Sequence, residues 1–207
     1  MRRTKPGSSS KQYDRAYFDR WYRGGEARLR RELTARKAAL AVSMTEFLLG
    51  EPVARVLDVC CGEAAWREPL LKLRPAIHYR GLDSSEYAVR RFGRSRRIGL
   101  ASFGQLGELR FEQSVDLLIC SDALHYIDAA ELKRGLSGFA ELCHGLVFAD
   151  LFCAGDRAEG DEDGFIARRP TQYRCWFQAA GLTPVGPHCY ATPRLMPRLD
   201  GLERLAG

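Results

Sequence analysis

From about residue 54 onward, short apolar runs alternate with helical segments. This predicts an α/β fold: a three-layer sandwich with a mostly parallel central sheet of about seven strands, helices on both faces and a helical arm ahead of it. Three observations carry the prediction. The connections are short. Residues 115–120 (VDLLIC) and 146–152 (LVFADLF) are near-continuous apolar runs, as expected of strands buried on both faces. Residues 55–66 (RVLDVCCGEAAW) pass from a strand through a tight glycine turn into a helix.

The elements follow in order. Residues 1–12, with Pro6-Gly7-Ser8-Ser9-Ser10, read as a disordered basic tail. In residues 13–23, Tyr13, Tyr17, Phe18, Trp21 and Tyr22 recur at helical spacing and give a short helix one aromatic face. Gly24-Gly25 breaks the chain. Leu29, Leu33, Leu40, Met44 and Phe47 then mark a long helix from about Glu26 to Leu49, stopped by Gly50 and Pro52. Strands are expected at 54–59, 77–82, 98–101, 115–120 and 146–152, with helices at 63–73, 84–92 and 128–143. Residues 154–169 read as a polar, acidic loop. Pro170 opens a helix to Ala180, closed by Gly181, and 183–185 with 188–194 make a final strand pair. The domain plan is a tail (1–12), a helical arm or lid (13–50) and one α/β domain (51–207).

Composition removes several classes. The chain has 207 residues, 45% hydrophobic and 28% charged, which suits a globular protein. No apolar run reaches the roughly 18–20 residues that cross a bilayer, so no membrane partner is expected. The 7 cysteines are odd in number and show no C-x-x-C spacing. That favours free thiols in a reducing cytoplasm and no metal site. Net charge is +6, concentrated at the start: residues 1–37 hold twelve basic and four acidic side chains. Such an arm can meet nucleic acid, an anionic substrate or only solvent, and a solvated face is the commoner explanation.

The chemistry concentrates at the glycine turn. Asp58 ends the strand before it, and Asp83 stands 21 residues beyond Gly62 at the tip of the next strand. An acid there is placed to accept hydrogen bonds from ribose hydroxyls, so the βαβ unit points to an adenosine-containing cofactor. The nicotinamide fingerprint G-x-G-x-x-G is absent.

Asp-Val-Cys-Cys-Gly-Glu-Ala resembles the first motif of the class I S-adenosylmethionine-dependent methyltransferases, hydrophobic-Asp-x-Gly-x-Gly-x-Gly. Cys60 and Ala64 take the first and third glycine places and Gly62 the second. Residues 81–85 (GLDSS), 115–127 (VDLLICSDALHYI), 142–152 and 169–182 resemble later motifs of that family in the right order, covering about residues 50–190. The resemblance implies a Rossmann-like domain over 51–207 that binds S-adenosyl-L-methionine. It implies cofactor contacts from Asp58, Cys60, Cys61, Gly62, Asp83, Ser84, Ser121 and Asp122. Ser102 and Phe103 stand where many members carry Gly-Asp after the third strand, and are expected either to meet the adenine as cofactor contacts or to be core and loop residues. Cys60 and Ala64 depart from the family, although some menaquinone-type C-methyltransferases have a similar run.

His125 follows the fourth strand at the carboxyl edge and is the candidate general base, with rim packing as its other reading. Tyr13, Tyr17, Trp21 and Tyr126 are candidate lid and substrate residues. Trp66 is expected to pack the first helix or shelter the cofactor. Arg168 and Arg169 are expected to face solvent. The expected function is methyl transfer to a small-molecule O, N or C nucleophile by in-line displacement. An RNA or protein methyltransferase using the basic arm, and a non-catalytic cofactor-binding relic, are the alternatives.

Overall fold

The computed structural model describes residues 13–25, 27–156 and 161–201. The expected tail at 1–12 lies outside them.

Two helices precede the sheet, α1 (Arg15–Arg23) and α2 (Ala27–Leu49). Then come β1 (Arg55–Val59), α3 (Arg67–Leu73), β2 (His78–Asp83), α4 (Glu86–Arg96), β3 (Ile98–Leu100) and β4 (Val115–Ser121). After β4 lie α5 (Ala129–Leu136), α6 (Phe139–Leu142), β5 (Cys143–Asp150), α7 (Pro170–Ala179), β6 (Thr183–Gly186) and β7 (Cys189–Ala191). The 7 strands form one sheet in the order β3-β2-β1-β4-β5-β7-β6. Strands β1 to β5 run parallel, and β7 is antiparallel to both β5 and β6.

Alternation along the strands divides the core. Val56, Leu117, Ile119, Leu146 and Phe148 face one layer, which holds Ala38, Ala41 and Val42 of α2, Leu70 of α3 and Phe92 of α4. Leu57, Val59, Leu118, Cys120 and Val147 face the other, with Leu132, Phe139, Leu142, Tyr173 and Phe177. A fully buried side chain of this size contributes about 1.5–3 kcal/mol. Asp116 secures the amino end. Its buried carboxylate accepts the N–H groups of Ala54 at 2.6 Å and Arg55 at 2.8 Å, which locks the start of β1 to β4.

Three boundaries differ from expectation. Helix α3 begins at Arg67 rather than 63, because Ala64 adopts φ 60° and cannot be helical. Helix α4 runs on to Arg96 and ends at Arg97, with φ 58°. The helix expected over 128–143 is two, α5 and α6, parted at Ser137-Gly138. A Cβ on Gly138 would strike the Leu106 carbonyl, so only glycine lets this corner close.

Candidate active site

The turn after β1 is wound left-handed without its usual glycines. Cys60 has φ 55°, Gly62 φ 54° and Ala64 φ 60°. Asp122, after β4, has φ 57°. A left-handed non-glycine residue costs roughly 1–2 kcal/mol, and such strain gathers where a backbone must take one shape to do its work. Parallel pairing of β1 with β2 and β4 brings this turn, the tip of β2 and Ser121 to one carboxyl edge. Asp83 ties the edge together. One carboxylate oxygen accepts the Gly62 N–H at 2.7 Å and the other the Ser85 N–H at 2.8 Å. Burial raises its pKa, and those two N–H groups oppose the rise.

Beneath the turn lie acids and thiols. The Asp58 carboxyl is buried and accepts the Tyr79 hydroxyl at 2.6 Å. Burial pushes it up to about 7, against the Tyr79 hydrogen bond and with help from the Asp83 charge. The Cys120 thiol is pushed well up by its contact with Cys60 and by burial, with Asp58 and Asp150 adding to the effect. Cys61 is buried, turns toward β2 and donates its backbone N–H to Leu82. All 7 cysteines are free.

The aromatic arm closes over this edge. Phe18 is buried and stacks on Tyr87 with centroids 5.6 Å apart. The Tyr22 hydroxyl stands where a Cβ on Gly62 would go. Arg23 reaches the buried Glu63 at 3.0 Å, and Ser85 Oγ donates to the Tyr13 carbonyl at 2.6 Å. Burial raises the Tyr13 and Tyr17 hydroxyls well above their ordinary value. The charges that add to this place Cys60 and Asp83 around Tyr13, and Tyr126 and Asp161 around Tyr17. Trp21 lies farther out, with the Arg20 and Arg30 guanidinium groups 5.1 and 5.0 Å from its ring centre.

His125 sits in a single 3-10 turn (Leu124–Tyr126) and is only 1% exposed. Tyr126, Phe152 and Phe165 pack around its ring at 4.2, 5.5 and 5.4 Å. Nδ1 faces the Phe152 N–H at 3.4 Å, and Nε2 lies 3.6 Å from an Asp122 carboxylate oxygen. The Ile166 N–H donates to the His125 carbonyl at 2.9 Å, so the segment at 161–166 folds down over the ring.

Not every expected contact sits at this edge. Phe103 is in the core, against Phe139 at 5.7 Å and under Gly135, where a Cβ would strike its ring. The Ser102 N–H is taken by the Gln105 side chain at 2.8 Å, in a local cap. Ser84 is exposed, and the neighbouring Ser85 caps α4 and holds the arm. Trp66 packs on Phe148 at 5.0 Å. Arg168 is buried rather than solvated. It donates to the carbonyls of Leu124 and Ile127 and to the Tyr173 hydroxyl, which fixes the turn bearing His125.

A family model described as a methyltransferase domain matches residues 56–144, from the first residues of β1 to the start of β5. No curated protein matches the chain. Solved structures share the fold of this chain at low identity. A SAM-dependent methyltransferase from Archaeoglobus fulgidus has TM-score 0.60 at 16% identity, over 83% of this chain and 75% of its own. The sugar N-methyltransferase KedS8 from a Streptoalloteichus species has TM-score 0.61 at 16% identity, over 88% and 90%. Magnesium protoporphyrin IX methyltransferase from Synechocystis, with bound SAH, has TM-score 0.57 at 17% identity, over 88% and 91%.

Two residues of the carboxyl edge escaped the sequence reading. Asp150 ends β5 beside Ser121, and the Lys37 ammonium of α2 is ion-paired with it. An acid closing an apolar strand at this edge is a readable signal. Its lysine partner, 113 residues away, is not.

Proposed function

We propose that the chain is an S-adenosylmethionine-dependent methyltransferase acting on a small-molecule nucleophile. The observation that carries this is the turn at Cys60–Ala64, held left-handed and tied through Gly62 to Asp83, within a segment that matches the methyltransferase domain. The residues present suit the cofactor. Asp58 and Asp83 give the turn an acidic floor that favours a cationic ligand. Asp83 would take the ribose hydroxyls. The backbone at Cys60 and Cys61 would face the amino-acid end, with Ser121 and Asp122. When bound, the cofactor supplies an electrophilic methyl group on a sulfonium.

The chain's own task is alignment and exclusion of water. The arm supplies the cover, with Phe18, Tyr22 and the Arg23–Glu63 pair as its fixings. His125 is the proposed base for an acceptor that carries a proton. Asp122 would orient its Nε2, and Nδ1 must part from the Phe152 N–H to accept the proton. An acceptor reaches the ring only when residues 161–166 lift. A small acceptor is favoured over RNA because four basic side chains of the described arm are already paired within the chain. Arg15 and Arg23 pair with Asp19, Arg28 with Glu32, and Lys37 with Asp150.

Calorimetry with S-adenosylhomocysteine tests the reading. The wild type should bind, and Asp83→Ala should weaken binding by about 1–3 kcal/mol, the range for a lost hydrogen bond to a charged group. No binding by the wild type would remove the proposal.

A further inference from the structure

Asp150 Oδ1 is sealed from solvent and, among the described residues, has no hydrogen-bond partner. The residue is only 7% exposed, at the carboxyl tip of β5. Its other oxygen is engaged by the Lys37 ammonium. An unmet carboxylate oxygen in such a place costs about 1–3 kcal/mol or more, so a folded protein keeps one where a ligand completes it. Strand order says which ligand. The turn that would hold the cofactor follows β1, and β4 separates β1 from β5. At about 4.8 Å per strand, Asp150 stands roughly 10 Å from the turn across β4, on the side opposite β2 and Asp83, where the ribose would sit. Its surroundings are acidic too: Asp122 donates its backbone N–H to the Asp150 carbonyl, and Asp58 acts with Asp150 on the Cys120 thiol between them. Carboxylates gathered in one place select cations and hydrogen-bond donors, and repel acids.

We infer that Asp150, paired with Lys37, is the acceptor-recognition residue of this site and that it selects an amine-bearing substrate. The inference rests on the proposed methyltransferase reading. In it, Asp150 Oδ1 accepts an N–H of the acceptor and fixes that molecule's direction, and Lys37 fixes the carboxylate.

Two probes of one skeleton test it, phenethylamine and 3-phenylpropionate, titrated by NMR onto the full chain saturated with S-adenosylhomocysteine. The amine should bind at least tenfold tighter than the acid, in line with a charge-assisted hydrogen bond of roughly 10–100-fold. Asp150→Asn should bring the two probes within about threefold of each other and leave S-adenosylhomocysteine affinity within about threefold of wild type. Lys37→Gln keeps the carboxylate and removes its counter-charge, so it should keep or enlarge the preference for the amine, which a purely structural ion pair would not do. Three results would overturn the assignment: equal or better binding of the acid, binding of neither probe, or an Asp150→Asn protein that loses cofactor affinity instead, which would make Asp150 a partner of the cofactor's own ammonium. If S-adenosylhomocysteine does not bind, the same titration on the free chain decides alone. A preference for the amine there sustains Asp150 as an amine site while the methyl-transfer reading falls.

Discussion

A carboxyl group sealed beside Tyr79 titrates near neutrality, because burial pushes Asp58 up to about 7. In the unfolded chain an aspartate ionises near 3.9, so between these values the folded protein holds a proton that the unfolded chain has lost. Ionisation therefore favours unfolding as pH rises from about 4 to about 7, and the cost is constant above that. Asp58→Asn keeps an oxygen for the Tyr79 hydroxyl and removes the charge. Urea titrations should show the variant gaining on wild type across that window, by on the order of 2–4 kcal/mol at pH 8. A gain that grows toward acid pH would contradict the assignment. His125 is the other residue to test. As a base, His125→Ala should slow turnover by about 10²–10⁴-fold with cofactor affinity nearly unchanged. A loss under about tenfold that is flat between pH 5 and 8 would assign the ring to packing.

Among the elements, α1 contributes no strand and little of the main core, yet it meets the glycine turn, α4 and Glu63. Deleting residues 1–23 should leave far-UV circular dichroism and cooperative unfolding in place and abolish methyl transfer. A truncated chain of full activity would show that α1 is no lid. The strands were legible in the sequence because apolar runs such as 115–120 admit one interpretation in a domain of alternating elements. The late start of α3 was not, since nothing in the identity of Ala64 announces a left-handed backbone. Arg168 was misread for a related reason. Arginine is usually exposed, and the carbonyls that bury this one belong to residues 124 and 127, brought close only by tertiary folding. The position of Asp83 followed from strand period and turn alone, whereas Phe103 was drawn into the core by its contact with α6.

For the whole molecule, net charge is +6, and Arg15, Arg23, Arg28 and Lys37 of the arm are paired with acids of the same chain. Turnover of a small acceptor should then change less than about twofold between 50 and 200 mM salt, whereas an acceptor held through 6–10 phosphates would lose about 10³–10⁵ in affinity. A steep salt dependence would favour a nucleic-acid acceptor.

The strand order also governs how a growing chain acquires this site. By residue 150 the carboxyl tips of β1 to β5 have been synthesised, yet the strand that shields the outer side of β5 is β7, at Cys189–Ala191. During the intervening synthesis β5 presents a bare, strongly apolar edge of the kind that pairs with whatever strand it meets. Chains truncated between residues 150 and 189 should therefore aggregate with their strand tips already assembled, so the last short strands protect the growing polypeptide against misassociation as well as finishing the sheet.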